Sequence, residues 1–88
     1  MKKTALFAVL SLACTGALAA ANCPKYPKEE WMKADDAKAK LEAQGYKIRK
    51  FKVDGNCYEI YGHTKEGKKA EIYFDAKTLA IVKAEIEK

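Results

Sequence analysis

The chain has 88 residues, about a third of them charged, with a formal net charge of +5 at pH 7. That length holds one small domain, near the size at which a hydrophobic core alone is marginal. The charges are interspersed rather than clustered, which argues for a solvated surface and against nucleic acid as a partner.

The chain opens "MKKTALFAVLSLACTGALAAANC". Lys2 and Lys3 form a positive start, residues 4–13 an apolar core, and a run of small residues ends it. This is the anatomy of a secretory signal peptide, cleaved after Ala19 or Ala21. An apolar core of about half the roughly 20 residues a membrane span needs is too short for an anchor. Residues 1–21 are therefore read as signal and 22–88 as the domain, with no span left after cleavage and the periplasm or the outside as destination. Cys14 leaves with the signal. Losing two lysines lowers the net charge from +5 to +3.

Cys23 and Cys57 remain. In an oxidising compartment two such cysteines pair, and the bridge contributes roughly 3–4 kcal/mol by restricting the unfolded chain. A redox site would need Cys-x-x-Cys, a c-type haem Cys-x-x-Cys-His, and a structural zinc four ligands, whereas His63 is the only histidine. The cysteines are read as a staple, with no metal and no cofactor expected.

The domain begins with "NCPKYPKEEW", an irregular leader with room for a turn of helix after Pro27. "KADDAKAKLEAQG", residues 33–45, predicts a helix: alanines and Leu41 favour it, Asp35 and Asp36 suit its start, and Gly45 its end. Trp31, Ala34, Ala37 and Leu41 make a narrow apolar stripe, with Trp31 and Leu41 as its core members. Four strands follow: 46–53, 57–63, 68–74 and 79–86. Asp54-Gly55 signals a tight hairpin, and Asp75 opens a turn. Short connections predict an antiparallel meander, an α+β fold.

Alternation assigns the faces. Tyr58, Ile60, Ala70, Ile72 and Phe74 point toward the helix as core, while Glu59, Tyr61, Glu71 and Tyr73 point away. The first and last strands break this alternation, which predicts a bulge or a strong twist in each. Glu59 and Glu71 on an open face read as solvated ion pairs. Tyr61 and Tyr73 read as a binding patch or as ordinary cross-strand packing. His63, at a strand end without a second histidine, reads as an exposed side chain. No serine follows the signal and no glycine-rich phosphate loop is present. The lysine-rich first strand is protected against edge pairing, whereas the apolar fourth is suited to accept a partner's strand.

With "WMKADDAKAKLEAQGYKI", "DGNCYEIYG" and "GKKAEIYFDAKT" assembled, residues 31–83 resemble the PepSY domain family in its small secreted form. The last turn departs from the family's Asp-Pro-x-Thr-Gly, with Ala76 and Leu79 in the Pro and Gly places, and Lys33 stands where Ser is frequent. The resemblance implies a helix on an antiparallel sheet and a non-catalytic role. Such domains occur in propeptides of thermolysin-type metalloproteases, where they look like inhibitory or chaperone modules. The expected function is a monomeric periplasmic module binding an exported protein or peptidase through the open sheet face or an edge. A redox or metal/haem accessory role using Cys23, Cys57 and His63 is the alternative.

Overall fold

The computed structural model describes residues 21–88. The expected signal peptide, with Cys14, lies outside the described residues apart from Ala21. A 3-10 turn at Lys28–Glu30 precedes helix α1, Ala34–Ala43, and strands β1, Lys47–Asp54, β2, Cys57–His63, β3, Lys69–Asp75, and β4, Ile81–Ile86. The strands form one antiparallel sheet in the order β1-β2-β3-β4, the predicted meander. The disulfide Cys23–Cys57 is formed, with a Cα–Cα distance of 5.4 Å.

One face of the sheet holds the core. Ala37 and Leu41 from α1 pack with Tyr58, Ile60, Ala70, Ile72, Phe74 and Ala76, and Trp31, Tyr46, Ile48 and Phe51 seal the margin. The stripe differs from the sequence reading at its N-terminal end. Ala34 is exposed, and half-buried Trp31 precedes the helix, meeting Tyr58 edge-to-face at 5.4 Å. Pro27 and the 3-10 turn account for this, because they bring the chain across the sheet before α1 starts. Lys33 makes no side-chain cap at the helix start. Gly45 ends the helix at φ +105°, a conformation that side chains disfavour.

The ladder register slips in both strands where alternation broke, in β1 between Ile48 and Lys50 and in β4 opposite Tyr73/Phe74, so of bulge and twist the bulge is what each carries. Gly62 meets the first: a Cβ there would collide with the Lys47 carbonyl oxygen, so the bulged strand closes only over a residue without one. The first hairpin turns on Gly55 and Asn56, with Asp54 already paired to Cys57, one residue later than the Asp-Gly signal suggests.

The β3–β4 turn differs most from the sequence reading. β4 starts at Ile81 rather than at 79. The Asp75 side chain accepts from the amides of Lys77 at 2.8 Å and Thr78 at 2.9 Å, and Leu79 donates to the Asp75 carbonyl. Leu79 thereby takes φ +64°, the left-handed conformation its place in the turn demands. It is half-buried and packs against the core, which offsets the strain of a branched side chain there.

The leader runs around the end of the sheet. Cys23 holds Cys57, which alternates with Tyr58 and so lies on the face away from α1. Tyr26 donates to Asp75 Oδ2 at 3.0 Å, the Trp31 indole donates to the Tyr26 carbonyl at 3.1 Å, and the Met32 amide donates to Ala76 at 2.9 Å. Tyr58 then donates its hydroxyl to the Met32 carbonyl at 2.6 Å. The leader is thus tied to both faces.

Candidate functional site: the face away from the helix

The strand register builds this face in rows. Lys52, Glu59, Tyr73 and Lys83 stand side by side, and Lys50, Tyr61, Glu71 and Glu85 form the next row. The structure therefore brings together all four residues that alternation placed here. It does not leave them equally open. Tyr61 is 37% exposed, whereas Tyr73 is 2% and Glu59 0% exposed. The expectation of solvated ion pairs is wrong for Glu59, and the expected tyrosine patch is reduced to Tyr61.

Glu59 is the unusual group. Both its carboxyl oxygens are buried without a hydrogen-bond partner among the described residues, and the Lys52 ammonium stands 3.8 Å away. At that distance the lysine offsets only part of the cost of burying a charge. Burial first, and then the neighbouring Glu71 carboxyl, push Glu59 up to about 7. Glu71 moves the other way. The Glu59 carboxyl beside it, together with the Tyr61 and Tyr73 hydroxyls, holds it below the ordinary carboxylate range despite partial burial. Tyr73 donates to Glu71 Oε2 at 3.1 Å. The two carboxyls titrate as a coupled pair, in which Glu59 is the one that keeps its proton toward neutral pH while Glu71 ionises first. The pair raises both tyrosines well above their usual range, Glu71 contributing most at Tyr61 and burial most at Tyr73.

Below these rows lies an open basin of about 860 Å³, lined by Arg49, Lys50, Tyr61, His63, Glu71 and Glu85 among others. Its β1 side is basic, and on its β3–β4 side Glu71, Glu85 and Glu87 outnumber Lys69. Lys50 and Lys52 stack over the Tyr61 ring at 5.7 and 5.4 Å. His63 is half-buried at the basin's margin rather than freely exposed. The basin escaped sequence reasoning because the bulge aims Arg49 into it, and a period-2 reading has no place for a residue with no cross-strand partner.

The cysteines offer no reactive group in this state, because each sulfur is bonded to the other. Cys57 and His63 stand at opposite ends of β2, about 20 Å apart at the usual strand rise. Among the described residues no three of His, Cys, Asp and Glu gather closely enough to hold a metal ion.

Among the described residues, one α-helix on a four-stranded meander, stapled by a disulfide and open on its other side, defines a small α+β domain. Its family is shown directly: the family model for the peptidase propeptide and YPEB domain, PepSY_2, matches residues 3–85, and the chain belongs to that family. Searches of curated proteins and of solved structures return no match. Among the described residues no helix is long and apolar enough to cross a membrane.

Proposed function

We propose that this protein is a non-catalytic exported module that binds another exported protein on the sheet face away from α1, and that a peptidase is the class of partner it restrains. Family membership supports the peptidase and the absence of chemistry of its own. The signal-like start supports export to the periplasm or beyond. The observation that carries the reading is the basin around Tyr61. It is wide and shallow, with an exposed tyrosine ring in its lining, a basic β1 wall and a β3–β4 wall on which Glu71, Glu85 and Glu87 outnumber Lys69. A chemical step on a small substrate needs an enclosed site and a positioned nucleophile or base. A polypeptide segment needs what is here, a broad surface with an aromatic anchor and charge complementarity.

A photoreactive phenylalanine analogue at position 61, illuminated in the native host, tests this. One reproducible adduct with an exported protein is expected. The same group at Val53, exposed on the opposite face, yields none. Equal labelling from both positions, or no adduct from position 61, overturns the reading.

A further inference from the structure

The two edges of the sheet differ. β1 carries Lys47, Arg49, Lys50 and Lys52 and is bulged, so an antiparallel copy of itself would bring like charges together. β4 is short and apolar at its ends, with Ile81, Val82 and Ile86 exposed at 55%, 38% and 47%. Among the described residues α1 packs over the β1 side of the sheet and leaves β4 uncovered.

Val82-Lys83-Ala84-Glu85-Ile86 reads apolar, basic, small, acidic, apolar. Reversed, it reads apolar, acidic, small, basic, apolar. An antiparallel copy centred on Ala84 therefore sets Val82 opposite Ile86 and Lys83 opposite Glu85, twice over by symmetry. The faces agree as well. Lys83 and Glu85 pair with Tyr73 and Glu71, on the side away from α1. Ala84 and Ile86 pair with Ile72 and Ala70 on the helix side, and Val82 sits in the bulge. The backbone also agrees. Glu87 donates its amide to the Lys69 carbonyl at 3.0 Å, so Glu85 and Lys83, in step with it, direct their groups at β3. Alternation turns the amides and carbonyls of Ala84 and Ile86 outward, the central set that a twofold pairing on Ala84 uses.

We propose that β4 is a homodimerisation edge, pairing antiparallel with β4 of a second copy about a twofold axis at Ala84 to give a continuous eight-stranded sheet. The occupant is a second copy because the charge pattern is complementary to its own reverse, which an unrelated strand has no reason to match. The monomer expected from the sequence then describes only the dilute protein. Ala84, Glu85 and Ile86 line the basin, so pairing sets two basins side by side across the axis. This proposal stands apart from the identity of any binding partner.

Sedimentation velocity of the oxidised protein as isolated from cells is the test, with Lys83→Glu and Glu85→Lys made singly, combined in one chain, and mixed as two singly altered chains. Each single reversal sets like charges opposite each other at two symmetric places and weakens self-association about tenfold. The doubly exchanged chain, and the equimolar mixture of the two single variants, recover the wild-type constant within about threefold. Ala84→Pro removes the central outward N–H without touching a bond to β3 and abolishes the dimer. Circular dichroism matching the wild type accompanies each variant, and recovery on mixing is itself a sign that both single variants are folded. A wild-type protein that stays monomeric at millimolar concentration overturns the proposal. So do single reversals that dimerise as the wild type does, or a mixture no tighter than its components.

Discussion

The two faces of this sheet are built from the same strands by the same alternation, yet they hold their side chains in place by different physics. On the helix side, the row Phe51, Ile60 and Ile72 is apolar, and burial itself is the stabilising force. One residue along, the row Lys52, Glu59, Tyr73 and Lys83 buries a carboxyl that no hydrogen bond satisfies. The first face is optimised for stability. The second carries a cost that the fold tolerates, and such costs concentrate where a surface has another task.

The comparison is broken most strongly from the apolar side. Ile72→Ala leaves a cavity beneath α1 in a fully buried position and is expected to cost about 3 kcal/mol in urea unfolding. Glu59→Gln, in the adjacent row, is expected to act with the opposite sign. The raised Glu59 value means that the native protein holds its proton more tightly than the unfolded chain does. Its contribution is complete below about 4.5, the value of an unperturbed glutamate, and is lost as pH rises through about 7. Glutamine has no charge to bury, so the variant is expected to be more stable than wild type by on the order of 2 kcal/mol at pH 8. Near pH 4 the two are expected to be equal. Urea midpoints across that range measure the convergence, and a constant difference between the two proteins would count against the proton on Glu59. The lowered Glu71 value acts in the reverse direction, its contribution fading as pH falls below the ordinary carboxylate range.

The smallest effect is expected at Leu79, where the two kinds of stabilisation meet in one residue. Leu79→Gly relieves a left-handed conformation worth roughly 1–2 kcal/mol but gives up a half-buried apolar side chain of similar value. A change of less than about 1 kcal/mol in either direction is expected from thermal unfolding.

Much of the architecture was legible because strands print a period of two on the sequence. The meander, the core row of Tyr58, Ile60, Ile72 and Phe74, the two bulges and the Cys23–Cys57 staple all follow from spacing, compartment and count. Leu79 was misread as strand because an apolar run carries no sign of the φ that an upstream Asp75 imposes. The burial of Glu59 was not legible either. Alternation says which face a side chain takes, but the packing of Tyr73 and the neighbouring side chains around it depends on cross-strand register. The basin escaped for the same reason, being shaped by an unpaired Arg49. The identity of a partner is written in no periodicity at all.

The bond between Cys23 and Cys57 closes a covalent ring that contains the whole of α1 and β1. β3 and β4 lie outside it, held by hydrogen bonds and packing alone. Local opening is therefore unequal along the chain: the ringed half resists fraying even when its contacts fluctuate, while the edge strand β4 is held only by its ladder to β3 and by packing. The strand best suited to meet another molecule is thus also the one the covalent frame leaves loose.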